Sequence, residues 1–264
     1  MNILLTNDDG ISSKGIVLLA EALRKVPGHT IFVLAPDGER SGVSHSVTLN
    51  SNAIRLRFWG NNTWTCSGTP ADCTVLAASG VLPVKPDLVV SGINAGANLG
   101  TDLIYSGTAG AARQAAIHGI PAIALSLVIG GINRLLLEDT VHWDKAVAFF
   151  RDHLEELVSL WKEDTFINVN IPNTPDFSEV PEITFPSRRR YEDTLVGFDA
   201  PDGSRYCIVS SGLVNTEEEP GSDGDAISRN RVSISPVFIH PVVRRDMCAG
   251  APDHCTTAPR PGRG

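Results

Sequence analysis

A chain of 264 residues, 42% hydrophobic and 20% charged, is long enough to bury a full core and fits one large α/β domain, alone or with an appendage. Its formal net charge of -8 argues against partnership with a nucleic-acid polymer, whose phosphates are held by clustered Lys and Arg. A small anion in a local site stays open, because backbone dipoles and a metal ion outweigh net charge there.

The opening MNILLTNDDG has no basic segment leading into a long apolar run and cleavage site. The longest apolar stretch, residues 120–132, is too short for a bilayer, so a cytoplasmic protein without membrane attachment is expected. Five cysteines fit that compartment. Cys66 and Cys73, like Cys248 and Cys255, have six residues between them, wider than the usual zinc spacings. Cys73, in an apolar helical run, reads as a small buried thiol.

Residues 3–6 form a short apolar run that stops at polar turn residues, as a buried parallel strand does. Residues 15–25 carry apolar side chains at helical spacing until Pro27-Gly28 ends them. A strand at 30–35 runs into PDGERSGVS, and a helix at 70–79 starts on Pro70, where a first-turn proline is tolerated. The strand DLVVS at 87–91 meets the glycine-rich GINAGANLG, then a small-residue helix covers 109–118 and a strand 121–127. A long helix is expected over 143–161 and a strand over 167–171.

This alternation predicts an α/β fold: a three-layer, Rossmann-like, mostly parallel sheet with helices on both faces. In such sheets ligands collect outside the carboxyl ends of the strands. NDDG, ERSGVS and GINAGAN all follow strands and should converge on one edge. Residues 1–180 are read as the catalytic core and 181–245 as a β-rich C-terminal arm that packs on the core or on a partner subunit. The Pro-, Gly- and Ala-rich 246–264 are expected to be a disordered tail.

Asp8 and Asp9 end the first strand, and Gly10 gives the backbone freedom to turn both carboxylates toward one hard divalent cation. A helix N-cap is the plainer role for one such acid, though two in a row after a buried strand are less routine. The loop from Arg40 to Ser44 offers hydroxyls, including those of Ser41 and Ser44, with backbone amides for an anion; it also reads as a surface turn. His45 is either a general acid or a structural histidine. GINAGANLG matches no dinucleotide fingerprint and no Walker loop is present, but Asn94 and Asn98 supply a carbonyl ligand and an amide donor. Ser106, Gly107 and Thr108 precede a helix, where a cap and an anion hole share one geometry. Arg188, Arg189 and Arg190 are either substrate contacts or a solvated face.

Taken together, NDDG, APDGERSGVSHSVTL, SGTPADC, PDLVVSGINAGANLGTDLIYSGTAGAA and GIPAIALSL resemble, in the same order, the survival protein E (SurE) family of 5′/3′-nucleotidases. The likeness runs through about the first 130 residues, and RVSISPV is similar to that family's C-terminal strand. It implies one divalent ion per subunit, Mg²⁺ or Mn²⁺ with Ca²⁺ able to occupy the site, held by Asp8, Asp9, Ser41 and Asn94. It implies phosphate-side roles for Asn98, Ser106 and Thr108. It also implies hydrolysis of nucleoside 5′- and 3′-monophosphates, short polyphosphate as a further substrate, and a homodimer or homotetramer built by exchanging the arm. Glu39 departs from the pattern, standing where an amide is common, and the cysteine-containing tail is unlike the family.

The chemistry expected is attack of a metal-activated water, oriented or deprotonated by Asp9, with no visible acid for the leaving group. One alternative makes Asp8 a nucleophile that forms an aspartyl-phosphate. Another makes the chain a nucleotide sensor that binds without turnover.

Overall fold

A computed structural model describes residues 1–50, 52–129, 141–210, 214–217 and 219–241. The expected tail at 246–264, with Cys248 and Cys255, lies outside the described residues. In chain order the elements are β1 (Asn2–Thr6), α1 (Lys14–Leu23), β2 (Thr30–Pro36), β3 (Leu56–Gly60), β4 (Thr63–Cys66), α2 (Pro70–Ala78) and β5 (Leu88–Ala95). A 3₁₀ turn at Gly100–Ile104 leads to α3 (Gly107–Ile117), β6 (Ala122–Val128), α4 (Trp143–Asp152), α5 (Leu154–Ser159) and β7 (Thr165–Pro172). Then come β8 (Ser178–Ile183), β9 (Arg189–Tyr191), β10 (Thr194–Asp199), β11 (Arg205–Ser210), β12 (Val214–Thr216), α6 (Asp223–Ser228) and β13 (Arg231–Phe238).

The main sheet has nine strands in the order β3-β4-β2-β1-β5-β6-β7-β13-β8. Only the β3–β4 and β7–β13 pairings are antiparallel. Side-chain alternation along the strands explains the three layers. Ile3 and Leu5 enter a core shared with α1, α4 and α5, whereas Leu4 enters the opposite core with the alanines of α3 and Cys73 and Ala77 of α2. The chain leaves β1 for β2 on one side, and β5 pairs with β1 on the other, both in parallel, so the order of strand addition reverses between β1 and β5. That reversal leaves a crevice at the carboxyl ends of those two strands. The three-layer, mostly parallel architecture read from the sequence is the one observed.

Two features differ from the reading. The expected helix over 143–161 is two helices, because His153 takes φ -107° and its ring Nδ1 bonds the Phe149 carbonyl at 2.9 Å, ending α4. The β3–β4 hairpin had no counterpart; its turn is Asn61-Asn62, both with positive φ, and this asparagine pair between two aromatic segments was its signal. Beyond residue 180, β8 and β13 belong to the main sheet, while β10–β11 and β9–β12 form separate two-stranded ribbons. No helix among the described residues is long and apolar enough to cross a membrane.

Candidate active site at the β1–β5 crevice

A cavity of about 450 Å³ opens at the carboxyl ends of β1 and β5. Asp8, Ser41, Asn94, Asn98 and Ser106 line it together with Asp102, Tyr105, Tyr191 and Asp193, while Asp9 lies outside the lining. Five of the residues picked from the sequence therefore share one space although they come from four separate loops.

Each side chain is placed by a local device. Asn7, wholly buried, closes the turn after β1: its Nδ2 donates to the Gly10 carbonyl at 2.9 Å and to Ser13 Oγ at 2.7 Å, and its Oδ1 accepts from the Gly10 amide at 3.2 Å. Gly10 has φ +93°, a value a side chain would strain. The turn is tied to the neighbouring loop by the Arg40 amide, which donates to the Asp8 carbonyl at 2.7 Å.

Asp8 is only 5% exposed. Its Oδ1 accepts the Thr108 hydroxyl at 2.5 Å. Burial raises the Asp8 carboxyl from 3.8 to about 6; the Thr108 bond opposes the rise and the adjacent Asp9 carboxylate adds to it. Gly107 lets the helix end approach this closely, since a Cβ there would sit 2.9 Å from the Asp8 Cβ. Asp9 Oδ2 accepts the Ala95 amide at 3.2 Å, which joins β1 to the end of β5.

The β5–β6 register slips between Ser91 and Asn94, and such an irregularity re-aims the residues beyond it. Asn94 then gives its Nδ2 to the Gly96 carbonyl at 2.9 Å, which leaves its Oδ1 as the atom able to accept or ligate. Asn98 is fixed on three sides. Its amide donates to Asn170 Oδ1 at 2.9 Å, and its carbonyl accepts from Asn168 Nδ2 at 2.9 Å and Asn170 Nδ2 at 3.0 Å. Its own Nδ2 donates to Ser126 Oγ at 2.8 Å. Ser106 caps α3, its Oγ accepting the Ala109 amide at 3.0 Å, so its hydroxyl hydrogen remains available to an anion. Ser41 is exposed and donates to Glu39 Oε1 at 2.8 Å.

Other candidates lie elsewhere. Thr108 is fully buried and outside the cavity lining, where it holds Asp8. Ser44 is also outside the lining; its amide donates to the Tyr105 carbonyl at 2.9 Å and its carbonyl faces Gly110 of α3. His45 Nε2 pairs with Gln114 Oε1 at 2.7 Å, and burial pulls its pKa down despite that bond. Cys66 and Cys73 are buried free thiols, and no three His, Cys, Asp or Glu side chains gather as a metal cluster among the described residues.

The arginine run divides: Arg189 pairs with Asp102, and exposed Arg190 with Glu217 at 2.9 Å. Asp102 also accepts the Tyr191 hydroxyl and the Leu99 amide at 3.1 Å. Burial first, then Asp102, holds that hydroxyl well above the ordinary tyrosine range.

Sequence reasoning passed over Asn7, Asn168, Asn170, Tyr105, Tyr191 and Asp193. Asn168 and Asn170 were signalled by two amides on one face of the otherwise apolar INVNI strand. Tyr191 and Asp193 carried no signal, because the ribbon that delivers them is distant in sequence.

An open, mostly parallel α/β sheet with a buried carboxylate, Asp8, and a set of hydroxyl and amide side chains on one cavity at its switch point defines the class of the molecule: a doubly wound α/β protein with a polar cleft at its strand ends. The chain belongs to the survival protein SurE family, whose model ("Survival protein SurE") matches residues 3–193. It is 41% identical over 242 residues to the 5′-nucleotidase SurE of Geotalea uraniireducens (strain Rf4), covering 90% of this chain and 93% of that one. The 5′-nucleotidase SurE of Geotalea daltonii is 43% identical over 242 residues with the same two coverages. The crystal structure of the SurE protein from Aquifex aeolicus superposes with a TM-score of 0.74 at 33% identity, covering 94% of this chain and 98% of that chain.

Proposed function

We propose that the chain is a divalent-metal-dependent phosphomonoesterase that hydrolyses nucleoside 5′-monophosphates to nucleoside and phosphate, and, with the breadth the family resemblance implies, 3′-monophosphates and short polyphosphate. The observation that carries the reading is the convergence of Asp8, Ser41, Asn94, Asn98 and Ser106 on one cavity of about 450 Å³. Relatives about 40% identical over 90% of the chain carry the name 5′-nucleotidase.

The donor set suits a hard cation. Asp8 and Asp9 are carboxylates in mutual repulsion, Asn94 turns its carbonyl oxygen free, and Ser41 adds a hydroxyl. Two acids plus neutral oxygens match Mg²⁺ or Mn²⁺, which keep places for water and for substrate phosphate. Held there, the ion would neutralise phosphate charge and lower the pKa of a water.

The remaining work falls to the chain. Asp9 takes the proton of the attacking water as it approaches phosphorus in line with the ester oxygen. Ser106 and Asn98, with the α3 N-terminus behind them, hold the non-bridging oxygens, so catalysis rests on positioning and electrostatics. Asp8, held by Thr108, fixes the charge on the opposite side.

The oligomer belongs to the same proposal. The β10–β11 hairpin stands outside the main sheet with Leu195, Val196, Phe198, Ile208 and Val209 all more than half exposed. A patch of that kind marks an association surface, here for a second copy of the chain.

Phosphate release from nucleoside 5′- and 3′-monophosphates and short polyphosphate, with Mg²⁺, Mn²⁺ or EDTA, tests the reading. Metal-dependent turnover that Asp9→Asn lowers by about 10²–10⁴ is expected, the scale of a lost general base. Nucleotide binding without phosphate release under any metal would assign the cavity to a sensor instead.

A further inference from the structure

Asp8, Ser41, Asn94, Asn98 and Ser106 have roles in the proposed chemistry, whereas Tyr105 and Tyr191 line the same cavity without one. We propose that Tyr105 and Tyr191 form an aromatic subsite that stacks the nucleobase, which makes them the residues that separate nucleotides from other phosphate monoesters. The proposal rests on the phosphomonoesterase reading.

A phosphate alone would fill little of 450 Å³, a volume within the about 300–1,000 Å³ that small-molecule sites occupy. Both tyrosines line this space, with ring centroids 6.0 Å apart and planes at 89°. An edge-to-face pair leaves a ring face open, and a flat base is recognised by such a face.

The Tyr191 ring is fixed before any ligand arrives. Its hydroxyl donates to Asp102 Oδ1, while Asp102 Oδ2 is held by Arg189 and by the Leu99 amide. A ring locked in this way loses little freedom on binding. The lock alone would explain Tyr191 as a pin between β9 and the 3₁₀ turn. It does not explain why Tyr105, on the same cavity, stays 55% exposed.

Asp193, also in the lining, adds an acceptor and a negative charge. That suits a neutral base carrying N–H groups and opposes a second phosphate beside it.

The test compares adenosine 5′-monophosphate with ribose 5-phosphate, which keeps the phosphate and sugar and lacks the base. The ratio of their kcat/KM values is measured for wild type, Tyr105→Leu, Tyr191→Leu and Tyr105→Phe. Loss of folded enzyme cancels in that ratio. Base stacking predicts a ratio that favours the nucleotide in wild type, falls about tenfold in each Leu variant and is retained in Tyr105→Phe. An unchanged ratio in the Leu variants overturns the subsite. Calorimetric binding of the same two compounds in EDTA gives the ratio without metal-dependent turnover. Failure of the hydrolase reading therefore shows as absent phosphate, and failure of the subsite as an unmoved ratio.

Discussion

The end of β1 and the β10–β11 hairpin break the ordinary burial rule in opposite senses. At β1 a carboxylate, Asp8, is 5% exposed; on the hairpin, Phe198, Tyr206 and their aliphatic neighbours face solvent. Both arrangements cost free energy in an isolated chain. The acid is held by a turn closed on three Asn7 hydrogen bonds and by Thr108, so the cost is built in on rigid elements. The hairpin is supported by its own ladder, from Thr194↔Ser210 to Asp199↔Arg205, and by the Phe198–Tyr206 stack at 5.4 Å, outside the main sheet. An isolated two-stranded hairpin is marginal in water. On the proposed reading, one violation is a charge that a bound ion completes, and the other a surface that a second copy covers.

The largest expected effect separates function from stability at the first region. Because the folded-state pKa of Asp8 is raised from 3.8 to about 6, folding favours its neutral form. The resulting destabilisation is absent below the lower value, grows between the two and is complete above about pH 6. Asp8→Asn should therefore abolish turnover while stabilising the metal-free protein at pH 7 by about 1–3 kcal/mol. Thermal unfolding in EDTA at pH 7 and pH 4 reads this, and the advantage should shrink at the lower pH. A variant less stable than wild type at pH 7 in EDTA would show that the buried acid is already satisfied by the protein alone.

The hairpin makes the complementary prediction. Leu195→Glu with Ile208→Glu should leave the fold within about 1 kcal/mol, since both side chains already face solvent. Sedimentation should move from a multimer to the single-chain mass. A mass unchanged by the substitutions, or already that of one chain in wild type, would remove the hairpin from the interface and leave its apolar face without a role.

The two regions also differed in how far the sequence disclosed them. The β1 end was legible because strand, turn and ligand are contiguous: a buried run, two acids and a glycine lie within ten residues. The convergence of Ser41, Asn94 and Asn98 followed from strand–loop alternation, since such loops share one sheet edge, and Ser106 joined them as the cap of a helix start. Pairings that close over long separations were not legible. The Asp102–Tyr191 bond spans 89 residues, and nothing local marks either side chain. Nor did helical spacing disclose the break at His153, because a ring bonding the carbonyl four residues back does not alter the apolar period. The helical start at 106–108 offered Thr108 as part of a cap or an anion hole, and the family resemblance implied a phosphate-side role for it. Its hydroxyl donates to Asp8, a direction that residue type alone does not specify.

The smallest expected effect lies between the two extremes, on the exposed edge of the site. Ser41 donates to Glu39 Oε1 at 2.8 Å, and both side chains are exposed. A carboxylate acceptor orients the hydroxyl so that its lone pairs face away from Glu39, and it adds a negative charge near the proposed cation. Glu39→Gln keeps an acceptor and removes the charge. The Mg²⁺ concentration giving half-maximal turnover should therefore rise only about two- to fivefold, because an exposed charge is screened. The difference should contract as ionic strength goes from about 0.01 M to 0.15 M, where the screening length falls from about 30 Å to about 8 Å. A shift that persists at high salt would mean that Glu39 acts by placing Ser41 rather than by its charge. The exposed edge would then share the built-in rigidity of the buried acid.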